Sequence, residues 1–247
     1  MLFQIFTIGD RKISIMSKVY IISELCGQWG GSIRRAEQMI LQSKMGGADA
    51  VKVQLWDTYR MPGTNREKWE YLVMSEEQFL HLKGFTENLG LDYFASPFHE
   101  DRFEWIKKAD LKINKIASPL LEWDLDLCQK MVDSGMKTYA SLGKWKENYL
   151  PFFKNKNLFY MHCISKYPHS VKEAIEEMPS DFSIRVNGYS DHAIGIEACK
   201  EAARRGATVI EKHFTTSLDL QCDTESAHVC SMTYEQLCDL RNYCEKI

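Results

Sequence analysis

The stretch from Asn187 to Phe214 reads NGYSDHAIGIEACKEAARRGATVIEKHF. It predicts a strand that ends near His192, a helix over 194–205, and a second strand over 207–212 that is followed by His213. In a right-handed strand–helix–strand unit with parallel strands, the two strand ends lie side by side. The two histidines would then face one cavity, as a divalent metal requires of two imidazoles. The spacing alone leaves open the alternative of two unrelated strand-end histidines.

The rest of the chain repeats this alternation. The predicted strands are 19–23, 48–54, 91–95, 111–117, 137–142, 158–163, 183–189 and 207–212. The predicted helices are 33–45, 75–89, 99–108, 125–134, 171–178, 194–205 and 233–245, with a weak segment at 144–156 that has room for one or two helical turns. Eight strands alternating with helices predict an α/β fold, a (β/α)8 TIM barrel. A doubly wound sheet is the alternative, and no Gly-rich dinucleotide fingerprint or Walker loop follows any strand.

The first residues precede this repeat. The run Ile8-Gly9-Asp10-Arg11 lies between apolar residues and predicts a short β-hairpin. A frayed extension ahead of a start at Met16 is the alternative. We therefore expect a single TIM-barrel domain over 1–247, with the hairpin or extension in 1–16 and the barrel in 19–247.

Composition narrows the class of protein. Hydrophobic residues make up 45% and charged residues 26%, as in globular proteins in general. The net charge of -3 excludes a general attraction to nucleic acid or anionic membranes. No apolar run approaches the roughly 20 residues that span a bilayer, and the N-terminus lacks a signal-peptide cleavage site. The eight cysteines include no Cys-x-x-Cys pair, which predicts a reduced, cytoplasmic protein.

Two lysines stand out inside the apolar strands. Lys52 lies in the run AVKVQ and Lys115 in the run INKIA. A buried lysine is costly unless it meets an anion, and active sites of such barrels lie at the C-terminal strand ends. Two lysines aimed into one barrel mouth therefore indicate an anionic substrate. The alternative is that one lysine points outward or pairs with Glu24 or Glu211.

Other polar residues follow the same strand ends. Serine hydroxyls and a glycine turn would supply hydrogen-bond donors to a phosphate or carboxylate. The polar and turn residues that the pattern places at these strand ends are Gln54, Ser96, Ser118, Ser141, Gly143, His162, Ser165, Lys166, Tyr167, Ser190 and Asp191, of which Lys166 has the alternative of an ordinary solvated lysine.

Six runs of the sequence form a combination that is more specific than any one of them. They are Ile21-Ile22-Ser23-Glu24, residues 47–54, Ser96-Pro97-Phe98, Lys115-Ile116-Ala117-Ser118, Ser190-Asp191-His192 and residues 211–215. In this order they resemble the sialic acid synthase family, and residues 8–11 are similar to that family's N-terminal hairpin. The family condenses phosphoenolpyruvate with an N-acetylated amino sugar, such as N-acetylmannosamine, to give a sialic-acid-like nonulosonic acid and phosphate.

The resemblance implies a metal site and a reaction. His192 and His213 would hold a divalent cation, usually manganese, with magnesium or cobalt as alternatives, and Glu211 and Asp191 would position them. The cation would polarise the aldehyde of the sugar as a Lewis acid. The enol carbon of phosphoenolpyruvate would attack this aldehyde, water would add at the next carbon, and phosphate would leave by C–O cleavage.

The resemblance also assigns substrate contacts. Glu24, Lys52 and Lys115 would be catalytic, with Glu24 orienting the sugar or assisting proton transfer and the lysines offsetting the charge of phosphoenolpyruvate. The other residues expected to contact substrate are Gln54, Ser96, Ser118, Ser141, Gly143, Ser165, Tyr167, Ser190, Asp191 and Glu211.

Some positions depart from the family pattern, mainly where the sugar would bind. Gln28 and Trp29 replace the Asn and His of a Gly-x-Asn-His run, and the indole cannot titrate as a histidine does. An expected Asn after the sixth strand is Ser165. The family's Gly-x-Asp after the last strand has no clean equivalent, although Asp223 is a candidate.

Family members typically continue into an antifreeze-protein-like domain, which in their dimers contributes an arginine to the partner's sugar site. The present sequence stops at Ile247. We therefore expect a homodimer, altered sugar recognition and a separate capping protein as a further partner. Two other functions stay open: a phosphoenolpyruvate-dependent aldol condensation with another aldose, and a non-catalytic degenerate barrel that binds a partner or ligand.

Overall fold

The structure, a computed structural model, describes residues 4–8, 11–15, 19–59, 66–153, 155–220 and 229–247. These residues form ten strands: β1 (Gln4–Ile8), β2 (Arg11–Ile15), β3 (Tyr20–Glu24), β4 (Ala50–Leu55), β5 (Asp92–Pro97), β6 (Ile113–Ile116), β7 (Lys137–Ser141), β8 (Leu158–Cys163), β9 (Gly188–Asp191) and β10 (Val209–His213). The last eight close a parallel barrel in the order β10-β3-β4-β5-β6-β7-β8-β9. This confirms the predicted (β/α)8 barrel.

The helices lie where the sequence predicts them, with two exceptions. They are α1 (Ile33–Met45), α2 (Glu76–Asn88), α3 (Glu100–Lys108), α4 (Leu120–Trp123), α5 (Leu125–Asp133), α6 (Val171–Glu177), α7 (Glu197–Arg204) and α8 (Tyr234–Cys244). Ser75 and Gln78 form the capping box expected at the start of α2. The described part of 144–156 has no helix, and α4 is an additional short helix after β6.

The seventh barrel strand is shorter than its predicted range, 183–189. It begins only at Gly188. The carboxylate of Asp181 accepts hydrogen bonds from the backbone N–H and the hydroxyl of Ser183, at 2.7 and 2.6 Å. This local side-chain bonding holds a turn where the apolar pattern predicts a strand.

The predicted N-terminal hairpin is present as an antiparallel pair. β1 and β2 pair from Gln4 with Ile15 to Ile8 with Arg11. The Gly9-Asp10 turn and the alternative start at Met16 lie outside the described residues, as does part of the aromatic insertion after β4. Within the described residues, no helix is long and apolar enough to cross a membrane.

The barrel interior is apolar in its lower half. One buried cluster consists of Ile22, Ala50, Phe94, Ile113, Tyr139, Met161 and Val209. Beneath it, at the N-terminal end of β7, the ammonium of Lys137 lies 5.0, 4.9 and 5.3 Å from the ring centroids of Tyr20, Tyr139 and Phe159. Cation–π contacts thus hold this ammonium at the N-terminal end of the barrel, and the active sites of such barrels lie at the opposite, C-terminal end.

Arg241 connects the last helix to the N-terminal end of the barrel. Its guanidinium donates to the carbonyl oxygens of Gly47 and Val19, at 2.7 and 3.0 Å, and forms an ion pair with Asp49. Arg241 is only 5% exposed. α8 therefore depends on one buried cation as well as on the apolar contacts of Leu237.

We expect Arg241→Met to lower the free energy of unfolding by about 3 kcal/mol. The substitution leaves two carbonyl oxygens and the Asp49 carboxylate without the guanidinium that donates to them. Urea unfolding followed by circular dichroism measures this change. Arg204→Met is the matched control, since Arg204 is exposed and pairs only at the surface with Glu201. An unchanged urea midpoint in Arg241→Met would show that the apolar face of α8 suffices.

Candidate active site

A layer of polar side chains lies directly above the apolar interior cluster. Side chains alternate along a strand, so the residue two positions after each cluster member faces the same interior. These residues are Glu24, Lys52, Ser96, Lys115, Ser141, Cys163 and Glu211. Ser190 on β9 adds a hydroxyl beside Glu211. The barrel interior therefore changes from apolar to polar between two successive layers of side chains, at its C-terminal mouth.

Four buried charges form the centre of this layer. The ammonium of Lys52 contacts the Glu24 carboxylate and lies 3.8 Å from Glu211 Oε1. The ammonium of Lys115 lies 3.3 Å from Glu211 Oε2. Both lysines face the interior, as predicted, but they pair with internal carboxylates, which is the alternative that the sequence left open. We call these four residues the charge quartet; its formal charges cancel.

Three serine hydroxyl groups hydrogen-bond to members of the quartet. Lys52 donates to Ser96 Oγ at 2.9 Å, and Lys115 donates to Ser141 Oγ at 2.8 Å. The Ser190 hydroxyl donates to Glu211 Oε1 at 3.3 Å. Each lysine thus has one neutral acceptor besides its carboxylate neighbours, so an incoming anion finds donors that are already oriented.

Burial shifts the pKa values of this layer. Burial lowers the pKa of Lys52 to about 7; the charge of Lys115 lowers it further, while Glu211 raises it. Burial alone would raise the pKa of Glu211, but the charges of Lys115 and Lys52 outweigh that effect and hold the pKa below its ordinary value. Near pH 7 the quartet therefore contains an ionised Glu211 and a Lys52 that is partly protonated.

His192 and His213 lie beside the quartet and face each other. Their ring centroids are 5.5 Å apart, and each residue is 5% exposed. His192 Nδ1 donates to the carbonyl oxygen of Ile164 at 2.9 Å, and burial lowers the pKa of the His192 ring to about 4. The ring is therefore neutral at physiological pH and carries its lone pair on Nε2, the form that ligates a metal.

The donor set at this point fits an open metal site. Within the described residues, no group of three or more His, Cys, Asp or Glu side chains is placed to hold a metal ion. The two neighbouring imidazoles would be the protein's ligands, and substrate or water would supply the others. Open coordination positions of this kind distinguish catalytic metal sites from closed structural ones.

The loop after β8 covers the histidines. The Tyr167 ring centroid lies 4.0 Å from that of His192 and 6.3 Å from that of His213. Ser165 and Ser118 hydrogen-bond through their hydroxyls at 2.8 Å. A Cβ on Gly143 would lie 2.5 Å from Ser165 Oγ, so glycine is needed for this close approach. Four predicted site residues thus meet in one wall of the mouth.

Two predicted positions lie outside this cavity. Asp191 was expected to contact substrate, but its carboxylate faces the helices, where it pairs with Lys212 and accepts from Cys199 Sγ at 3.3 Å. His162 also faces outward, with its ring centroid 6.0 Å from that of Tyr189. In both strands the neighbouring residue takes the interior position.

Three further residues from the sequence analysis are Gln54, Gln28 and Asp223. Gln54 is half-buried and pairs in register with Ser96 on β5. Gln28 is buried, and neither of its amide atoms has a hydrogen-bond partner among the described residues. Asp223 lies in a segment outside the described residues.

Sequence reasoning missed Cys163 and Lys212. Cys163 Sγ lies 3.8 Å from His192 Nδ1, inside the mouth. Lys212 is fully buried on the outer face of β10. Both residues sit in apolar strands, so the signal that singled out Lys52 and Lys115 was present at Lys212 as well.

Comparison with known sequences identifies the family to which this barrel and its polar mouth belong. The NeuB family matches residues 39–247. An uncharacterized protein of Methanocaldococcus jannaschii is 31% identical over 230 residues, which cover 87% of this chain and 67% of that protein. The N-acetylneuraminate-9-phosphate synthase of Drosophila melanogaster is 29% identical over 250 residues, which cover 90% of this chain and 66% of that enzyme. The chain thus spans about two thirds of the length of these relatives.

A solved structure agrees as well. The N-acetylneuraminic acid (sialic acid) synthetase of Leptospira borgpetersenii, crystallised with citrate, superimposes with a TM-score of 0.76 at 26% identity. The superposition covers 99% of this chain and 88% of that one. Since the family match extends over most of the chain and the barrel agrees with it, this chain belongs to the NeuB family.

Proposed function

We propose that this chain is a metal-dependent transferase that condenses phosphoenolpyruvate with an N-acetylated amino sugar, giving a sialic-acid-like nonulosonic acid and phosphate. One observation carries the proposal: two buried lysine ammoniums with serine hydroxyls lie beside two buried, facing histidines in a single barrel mouth. A dianionic or trianionic enol phosphate and an aldehyde require these two kinds of group next to each other.

The lysine side of the mouth would bind phosphoenolpyruvate. Its phosphate and carboxylate carry charge that Lys52 and Lys115 would offset, with Ser96 and Ser141 already within hydrogen-bond distance of the two ammoniums. The substrate would compete with Glu24 and Glu211 for the lysines. As phosphate leaves by C–O cleavage, the same ammoniums would stabilise the charge that develops on it.

The histidine side would bind the acceptor aldehyde. His192 and His213 would hold the divalent cation, for which we propose manganese; such a cation, when bound, acts as a Lewis acid on a carbonyl oxygen. Glu24 pairs in register with His213 and contacts Lys52, so its carboxylate lies between the two sides. We assign to Glu24 the orientation of the acceptor and the transfer of a proton to or from its oxygen.

An amino sugar is the acceptor that the relatives favour. The Drosophila enzyme is named for N-acetylneuraminate 9-phosphate and the Leptospira protein for N-acetylneuraminic acid. The ring of Tyr167 beside the histidines offers an apolar surface to such a sugar. The homodimer and the separate capping protein stay predictions.

Purified protein with Mn²⁺ should release phosphate from phosphoenolpyruvate when an N-acetylated hexosamine is present. Lys115→Met should lower kcat/KM for phosphoenolpyruvate by roughly 10²–10³-fold, because one of two buried cations is lost. Lys166→Met is the matched control. Lys166 is exposed and pairs with Glu173, so its loss should change kcat/KM by less than about threefold.

A panel of simple aldoses decides between the acceptors. Phosphate release only with a simple aldose would replace the amino sugar by another acceptor. No phosphate release with any aldose or hexosamine would contradict the enzymatic proposal and leave a ligand-binding barrel.

The pH dependence should show the titration of Lys52. Its pKa of about 7 means that the ammonium is lost as pH rises through 7, so binding of an anion weakens on the alkaline side. We expect kcat/KM for phosphoenolpyruvate to fall by up to about tenfold per pH unit above roughly pH 7. Lys52→Arg retains its charge and should remove this decline. A wild-type profile that stays flat from pH 7 to 9 would contradict the role of Lys52.

A further inference from the structure

A second buried ion pair lies behind the histidines, on the outer face of the barrel. Lys212 and Asp191 are partners in register on β10 and β9, and both side chains are 0% exposed. The Lys212 ammonium lies 2.5 Å from Asp191 Oδ2. The Asp191 carboxylate also accepts from the Tyr189 hydroxyl at 2.7 Å and from Cys199 Sγ at 3.3 Å. None of these groups faces the mouth.

The ion pair nevertheless encloses the backbone that carries His192. Asp191 Oδ1 accepts from the backbone N–H of Ala193 at 3.0 Å, and the Lys212 ammonium donates to the carbonyl oxygen of Ala193 at 2.7 Å. The pair therefore binds the residues on both sides of His192. Lys212 is itself the neighbour of His213 in sequence, so one ion pair is joined to the backbone of both histidines.

The other contacts of His192 are with the loop after β8, whose Tyr167 ring lies beside both histidines. His192 has its own hydrogen bond to the Ile164 carbonyl oxygen, but the ladder that joins β9 to β10 ends at the Asp191–Lys212 register. His192 lies one residue beyond the end of β9. The carbonyl oxygen of His192 accepts from the backbone N–H of His169 at 3.3 Å, which ties the turn to the loop after β8. Lys212 is the side chain that connects the same turn directly to β10, the strand that carries His213.

The stability of the fold does not by itself explain why Lys212 and Asp191 are buried as an ion pair. Buried ion pairs can often be replaced by apolar side chains of similar volume without loss of stability, because removing two charges from water is costly. Groups behind metal ligands, in contrast, orient the ligands and tune metal affinity. We propose that Lys212 and Asp191 are positioning residues that hold His192 opposite His213 in the geometry that binds a divalent cation.

This inference rests on the proposed function for the identity of the ligand, but it has a test that needs neither metal nor turnover. The Asp191→Leu/Lys212→Met double variant removes both charges and leaves no unpaired one, so it should fold. In ¹⁵N-histidine spectra of the metal-free protein, the wild-type His192 ring should show one neutral tautomer, with its proton on Nδ1. In the double variant the His192 signals should shift towards a mixture of tautomers.

Metal binding supplies the second readout. Titration with Mn²⁺, followed by electron paramagnetic resonance, should give a dissociation constant about 10–100-fold higher in the double variant than in the wild type. The matched control is Arg241→Met, which breaks the buried ion pair at the opposite end of the barrel. It should lower stability and leave both the His192 spectrum and the Mn²⁺ affinity at wild-type values.

Two results would overturn the inference: a folded double variant with a wild-type His192 spectrum, or an Arg241→Met variant that loses the single tautomer to the same extent. Failure of the proposed function is a separate outcome. Tautomer loss in the double variant, together with no phosphate release by the wild type, would retain the positioning role and reject the reaction.

Discussion

The mouth of this barrel is organised by the need to neutralise two lysines that are buried inside the barrel, on β4 and β6. Lys52 and Lys115 are each at most 2% exposed, and an ammonium without a partner is not stable in such surroundings. Glu24 and Glu211 supply the opposite charge, and each ammonium also donates to one serine hydroxyl. Substrate anions would enter a site in which cations are already desolvated and oriented, so little reorganisation would accompany binding.

Strand alternation separates this interior charge from a second set on the other face. Along β10, Glu211 and His213 face the mouth, while Lys212 faces the helices. Along β9, Ser190 faces the mouth and Asp191 faces the helices. Two sets of charge, each formally neutral, thus lie on opposite faces of the barrel wall and meet at β10, which carries Glu211 on one face and Lys212 on the other. The inner set is available to substrate, and the outer set holds the backbone from which the inner residues project.

The sequence predicts the barrel well because the spacing of strands and helices is regular and five of the eight described helices begin at a Ser, Thr or Asp whose side chain caps them. It also predicts Lys52, Lys115 and the two histidines, since polar residues inside apolar strands are rare. It cannot fix the phase of a strand that is apolar on both faces. For that reason Asp191 and His162 were assigned to the mouth, which Ser190 and Cys163 occupy. The sequence offers the pairing of the lysines with Glu24 and Glu211 only as an alternative, because the pairing depends on contacts between strands far apart in the chain.

The central claim is that internal carboxylates hold the two lysines in place of a substrate anion. The affinity of the metal-free protein for phosphoenolpyruvate, measured by isothermal titration calorimetry at pH 6, tests it most directly. Glu211→Gln removes the competing carboxylate and should lower the dissociation constant by about tenfold, a difference of about 1.4 kcal/mol. Weaker or unchanged binding by Glu211→Gln would contradict the account, since it would show that Glu211 and the substrate do not share the same cations.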